Sequence, residues 1–250
     1  MLVTGSNRGI GREIVEALAT RETHVLAGMR DTSAFERVGG ARAREVTPVR
    51  IDLSSKGSIE ECVAGLGGRR VDVLVNNAGR FAGGLFEEGD VDEYYDLVQV
   101  NFAGLVHLTR RLLRPMLERE HGKIVNNASI AGYAHFPGAA VYSGSKAAVV
   151  GFSEALRREL AESPVGVLQV VTPGVETSML AQVRRDYDEH VGDTSKLDGV
   201  DPGEWAGKVV DAIESDAEVL NPGGMERLAK LASRGPAALL DTVLGRAFDR

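Results

Sequence analysis

The sequence predicts an α/β fold, one doubly wound parallel sheet with helices on both faces. Three observations lead there. Apolar runs of strand length recur along the chain, separated for the most part by helical patterns, and this alternation builds parallel sheets. A glycine-rich turn lies between the first run and the first helical pattern. Polar and charged residues stand directly after the runs, and doubly wound sheets bind ligands at the carboxyl ends of their strands. With 250 residues and 43% hydrophobic content the chain can bury one large core, so residues 1–250 read as a single domain.

The first run, Leu2-Val3-Thr4, reads as a short strand. Residues 9 to about 20 read as a helix with Ile10, Ile14, Ala17 and Leu18 on its inner face. Between them lies Thr4-Gly5-Ser6-Asn7-Arg8-Gly9-Ile10-Gly11. Its glycines let the backbone turn tightly and approach a ligand, while the helix presents N–H groups and the positive end of its dipole. Those features suit a pyrophosphate and make the domain Rossmann-type, although the spacing is Gly-x-x-x-Gly-x-Gly in place of Gly-x-Gly-x-x-Gly. Further strands are predicted at 24–28, 46–51, 71–75, 123–127 and 165–171. Directly after them come Arg30, Asp52-Leu53, Asn76-Asn77-Ala78-Gly79, Ser129 and Pro173-Gly174, the candidate functional residues.

Tyr142 and Lys146 are four residues apart and share one face of a predicted helix. A free tyrosine titrates near pH ~10, and a neighbouring cation favours its phenolate, so this pair suits acid-base chemistry near neutrality. The spacing alone also fits an inward-packed aromatic beside a snorkelling lysine. The net charge of −7 argues against a nucleic-acid-binding surface. A single cysteine, Cys62, and a start with neither basic nor apolar leader character point to a reducing cytoplasm. No apolar run approaches the ~18 residues needed to span a bilayer, and no metal site is expected.

Together these residues resemble the short-chain dehydrogenases/reductases, over essentially the whole chain from Leu2 to about Val219. The resemblance rests on Thr-Gly-x-x-x-Gly-x-Gly at 4–11, Asp52, Asn-Asn-Ala-Gly at 76–79, Asn101, Ser129, Tyr142-x-x-x-Lys146, and Pro173-Gly174 with Thr177, all in family order. It implies an NADP(H)-dependent oxidoreductase interconverting a ketone or aldehyde with an alcohol. Tyr142 is then the acid-base catalyst; Lys146 holds the nicotinamide ribose and lowers the tyrosine pKa; Ser129 bonds the substrate oxygen; and Asn101 interrupts a helix and fixes a water beside Lys146. For the cofactor, the resemblance implies contacts from Gly5, Ser6, Asn7, Arg8, Gly9, Ile10 and Gly11, and from Asp52 to the adenine amino group with Leu53 beside the ring. Asn77, Ala78 and Gly79 line the adenosine ribose, Tyr142 and Lys146 face the nicotinamide half, and Pro173, Gly174, Val175 and Thr177 close over it. Arg30, with Arg8 near it, stands where a 2′-phosphate would need a guanidinium, and no carboxylate precedes Asp31, so NADPH is expected over NADH.

Three departures stand out. The first strand begins at Met1, several residues shorter than in similar proteins, so either a frayed strand or a misassigned start is expected. Asn127 and Ala128 precede Ser129 where family members carry serine or another small residue. About thirty residues follow the last predicted strand. Residues 176–200 are expected to form a substrate lid with Met179, Leu180, Val183 and Tyr187 on one stripe, and 222–250 a helical extension with Leu239, Leu240, Val243, Leu244 and Phe248 on another. With Tyr133, His135 and Phe136 these stripes would wall an apolar cleft for a small hydrophobic carbonyl or alcohol substrate. The resemblance also suggests a homodimer or homotetramer through helices near 104–119 and 143–162. A non-catalytic NADP-binding redox sensor, or an epimerase or dehydratase on the same fold, are the alternatives.

Overall fold

In the computed structural model, residues 1–33, 35, 45–191, 199–215 and 217–224 are described, those at 187–191 by their backbone alone. The element order is β1 (Leu2–Thr4), α1 (Gly9–Ala19), β2 (His24–Met29), β3 (Glu45–Arg50), α2 (Lys56–Gly65), β4 (Val73–Asn76), α3 (Val91–Val98), α4 (Gly104–Glu118), β5 (Gly122–Asn127), α5 (Ala131–Ala134), α6 (Ala140–Glu159), β6 (Val165–Val170), α7 (Ser178–Val191), α8 (Pro202–Glu214) and β7 (Val219–Leu220). The strands form one seven-stranded sheet in the order β3-β2-β1-β4-β5-β6-β7, with every pairing parallel. The order reverses beside β1, so β1 and β4 flank the crevice in which such sheets bind ligands.

Successive residues of a strand face opposite sides, and β1 shows this directly. Val3 joins Ile14, Leu18, Trp205, Val209 and Ile213 in a core beneath α1 and α8, whereas Leu2 joins Ile59, Leu108, Leu112 and Met116 beneath α2 and α4. Both faces are covered, which is why the inner strands read as continuous apolar runs. The outermost strand, β3, carries Pro48, tolerable because an edge strand leaves one row of N–H groups outside the ladder.

β1 does not fray. Leu2, Val3 and Thr4 are fully buried, the Met1 ammonium donates to His24 O at 2.7 Å, and Leu26 N donates to Met1 O at 2.8 Å. The helical backbone runs on from α3 to α4 through a wider turn at Gln99–Ala103 that contains Asn101, the interruption anticipated there. The sheet ends on the two-residue strand β7. The tail stripe from Leu239 to Phe248 and the lid residues 192–198 lie outside the described residues.

Candidate active site

The glycine turn follows from close approach. A Cβ on Gly11 would stand 2.2 Å from Gly5 O and 2.4 Å from Asn77 Nδ2, so only glycine lets α1 begin so near the turn. Gly5 has φ +69°, in the left-handed region, and a Cβ there would meet Ala78 Cα at 2.8 Å. The first N–H groups of α1 have no carbonyl within the helix to bond and face the mouth of this cradle. Asn7 and Arg8 are exposed on the turn, and Gly9 lies against the Thr177 methyl, 3.3 Å from a Cβ built on it. The glycine turn and the segment after Pro173-Gly174 therefore meet across the crevice.

Three residues assigned to the cofactor turn their side chains away from it. The Ser6 hydroxyl donates to Val3 O at 2.6 Å and its N–H to Gly28 O at 3.0 Å, so Ser6 shapes the turn from beneath. Leu53 and Val175 are buried in the two main cores, because alternate residues of these edge turns must fill the sheet layers. Asp52 follows β3, with Oδ1 accepting from the N–H and hydroxyl of Ser54 at 2.9 and 2.7 Å. Burial pushes its carboxyl up, but Ser54 and the nearby charges of Arg30 and Arg50 outweigh this and hold it below the usual carboxylate range. Ser55, not Asp52, caps α2, accepting from Ser58 N.

Arg30 is exposed directly after β2. The acid next to it, Asp31, is engaged by Ser33, whose N–H and hydroxyl reach one carboxylate oxygen at 2.9 and 2.6 Å. The exposed Arg30 guanidinium at this strand end suits a phosphate.

At the carboxyl end of β5, Ser129, Tyr142 and Lys146 converge. Ser129 Oγ accepts from Ala131 N at 3.1 Å, and its side chain lies near enough to the Tyr142 hydroxyl to favour the phenolate. Burial pushes the Tyr142 phenol above its ordinary value, and Ser129 pulls it back only in part. The expected lowering by Lys146 is not what sets this tyrosine. The ammonium lies 5.9 Å from the centre of the ring and donates to Asn127 O at 2.9 Å. Lys146 is itself buried, and burial pushes it down from 10.5 to about 8. A Cβ on Gly79 would stand 3.3 Å from Asn101 Oδ1 and 3.6 Å from Lys146 Nζ, so the last glycine of Asn-Asn-Ala-Gly makes room for the ammonium.

Asn101 is buried and locked on the chain just after that turn: Oδ1 accepts from Arg80 N at 2.8 Å, and Nδ2 donates to Arg80 O at 2.9 Å and Ser145 Oγ at 3.0 Å. Ser145 in turn donates to Tyr142 O at 2.7 Å, tying Asn101 to the helix that carries the tyrosine. Its side chain is thus fixed by protein groups.

An apolar wall stands beside Tyr142. Phe81, which no motif singles out, packs edge-on at 5.1 Å between ring centres, with Ala139, Phe136, Met179 and Val183 around the two rings. Gln182 Nε2 of α7 donates to Phe81 O at 3.3 Å, so the lid helix is seated on the same chain. Its base is held by Glu176, whose carboxylate takes the Arg184 guanidinium at 2.5 and 3.0 Å and Gly199 N at 2.9 Å. Tyr133 is not part of this wall. Its ring is buried with Leu105, Val149 and Val171, and its hydroxyl accepts from Gln169 Nε2 at 2.6 Å. His135 is exposed at the left-handed end of α5, and the Tyr187 side chain lies outside the described set. Among the described residues no group of three His, Cys, Asp or Glu side chains could hold a metal ion.

A glycine cradle at the crevice beside β1, with a Ser-Tyr-Lys set past β5 whose serine and lysine are buried, is the arrangement of a nicotinamide-dinucleotide oxidoreductase. The chain matches the short chain dehydrogenase family over residues 1–188, and it belongs to that family. It is 33% identical over 187 residues to the 3-oxoacyl-acyl-carrier-protein reductase of Haemophilus influenzae, covering 74% of this chain and 77% of that one. Among solved structures, a short-chain dehydrogenase from Streptomyces avermitilis superposes with a TM-score of 0.81 at 31% identity, over 98% of this chain and 96% of that chain. A variant of the actinorhodin polyketide ketoreductase, crystallised with NADPH, gives a TM-score of 0.76 at 33% identity, over 90% and 96% of the two chains.

Proposed function

We propose that this protein is an NADP(H)-dependent ketoreductase that interconverts a hydrophobic ketone or aldehyde with its alcohol. The observation that carries the reading is the convergence of Ser129, Tyr142 and Lys146 at the carboxyl end of β5, with Ser129 and Lys146 buried, the ammonium 5.9 Å from the tyrosine ring centre and an apolar wall alongside. The cradle of Gly5, Gly9 and Gly11 fits a pyrophosphate, and the exposed Arg30 fits a 2′-phosphate. NADPH bound to the actinorhodin ketoreductase supports the same cofactor.

A nicotinamide held between the glycine turn, Lys146 and the segment after Pro173-Gly174 would supply hydride to the carbonyl carbon. Tyr142 passes its proton to the carbonyl oxygen as the C=O electron pair moves there, so free alkoxide does not accumulate. Burial keeps Tyr142 protonated until that moment, and Lys146, largely charged at neutral pH, stabilises the phenolate left behind. Ser129, oriented by Ala131 N, donates to the same oxygen and stabilises the charge that develops on it. Phe81, Phe136, Met179 and Val183 offer a substrate aromatic or aliphatic contact, which favours bulky apolar ketones over sugars or phosphate esters.

The assay is steady-state oxidation of NADPH and NADH with aryl and polyketide-like ketones set against small polar or phosphorylated carbonyls. The reading expects turnover, with higher kcat/KM for NADPH and for the apolar set; no turnover of any carbonyl overturns it. A homodimer or homotetramer is part of the proposal. Phe102 and Phe152 meet edge-on at 6.2 Å and stay partly open with Val106, while Val98 and Leu117 of the same helical stretch are exposed. A monomeric mass by light scattering at micromolar concentration would contradict this.

A further inference from the structure

Asn127 ends β5, two residues before Ser129, and its side chain is buried. It uses the amide in both senses. Nδ2 donates to Asn77 Oδ1 at 2.9 Å, and Oδ1 accepts from the Thr172 hydroxyl. Each partner is anchored in turn. Asn77 Nδ2 donates to Thr4 O at 3.0 Å, and Thr4 Oγ1 accepts from the N–H groups of Asn77 and Ala78 at 3.0 and 3.1 Å. Thr172 Oγ1 accepts from Trp205 Nε1 at 3.3 Å. Finally, Asn127 O accepts from Lys146 Nζ at 2.9 Å. One residue therefore joins the Asn77-Ala78-Gly79 turn, the strand end leading into Pro173-Gly174, and the catalytic ammonium.

We propose that Asn127 is a positioning residue that clips together the two turns closing on opposite halves of the dinucleotide, so that seating one half orders the seat of the other. This rests on the NADP(H) reading above. An apolar side chain of similar size at 127 removes both amide bonds and leaves the partly buried Asn77 carbonyl oxygen and the buried Thr172 hydroxyl without that partner. The near turn stays pinned by Thr4, so the adenosine half keeps its seat. What is lost is the coupling to the nicotinamide side, and with it the placement of the hydride-bearing ring over Tyr142.

The test compares wild type, Asn127→Leu and Thr172→Val in binding whole NADPH and the half-ligand adenosine 2′,5′-bisphosphate by calorimetry, with thermal melting of the ligand-free proteins alongside. Asn127→Leu should weaken NADPH about tenfold, the factor that 1.4 kcal/mol represents, while changing the half-ligand less than about twofold. Thr172→Val removes one bond of the same clip and should act in the same direction. The double variant should be no weaker than Asn127→Leu alone, because the two residues act as a unit. A purely structural role would lower the melting temperature and leave the ratio of the two affinities unchanged, which overturns the proposal. Equal losses for both ligands also overturn it, by making Asn127 a local support for the Asn77 turn. Failure of wild type to bind NADPH at all is a separate result that overturns the cofactor reading and, with it, this inference.

Discussion

Replacing Lys146 by methionine removes a charge that the fold holds at a cost, and the size of that cost follows from its surroundings. The ammonium is buried against the end of β5, with Asn127 O as its acceptor, and burial lowers its pKa from 10.5 to about 8. A displacement of that size corresponds to about 3 kcal/mol favouring the unfolded chain wherever both states carry the proton. The sign is fixed by proton counts. Between pH 8 and 10.5 the unfolded state binds more protons than the folded one, so stability rises with pH through this window, and the penalty is fully present below pH 8. Integrating from pH 7 to pH 9.5 returns about 2 kcal/mol. Met1 and Cys62 also titrate differently from their ordinary values, but they do so in wild type and variant alike. The assay is urea unfolding of the cofactor-free proteins at the two pH values. Wild type should gain about 2 kcal/mol relative to Lys146→Met between pH 7 and pH 9.5. A gap that stays constant over that interval would show that the lysine is solvated in the folded state and refute the reasoning.

Three further predictions follow from the same geometry. Arg30→Ala should cut the preference for NADPH over NADH by about tenfold to a hundredfold, the scale of one hydrogen bond to a charged group, measured as the ratio of kcat/KM values. Equal ratios in wild type and variant would return Arg30 to an ordinary surface residue. Gly11→Ala forces a Cβ to within 2.2 Å of Gly5 O and should cost about 3 kcal/mol in urea unfolding, where a change below 1 kcal/mol would mean that the turn relaxes freely. Met179→Asp sets a carboxylate among Phe136, Tyr142 and Val183 and should lower kcat/KM for bulky apolar ketones about tenfold or more. An unaffected kcat/KM would leave this cluster as packing alone.

Most of the fold was legible because the parallel strands are covered on both faces and so read as apolar runs, each ending at a chemically distinct residue. The glycine turn was legible for a local reason, since only a residue without a Cβ fits at Gly11. What the sequence hid is long-range. Thr172 and Asn127 are separated by 45 residues and Asn127 and Asn77 by 50, and no periodicity announces their pairing. Phe81 is a lone aromatic after Arg80, and only the fold brings it to Tyr142. Tyr133 was misread for the opposite reason. It lies close in sequence to the site, but the single turn of α5 aims its ring down onto Gln169 of β6. Ser6, Leu53 and Val175 belong to segments that face the ligand, yet the alternation of side chains sends these three inward.

The central claim is that Tyr142 delivers the proton while the rest of the site binds and orients. Its most direct test is Tyr142→Phe, which deletes one hydroxyl from a ring already packed against Phe81 and leaves Lys146 and the glycine turn untouched. With a ketone that wild type reduces, turnover should fall by about 10²–10⁴-fold while the Kd for NADPH changes less than about twofold. Retention of a tenth or more of the wild-type rate, with the same product, would contradict the assignment.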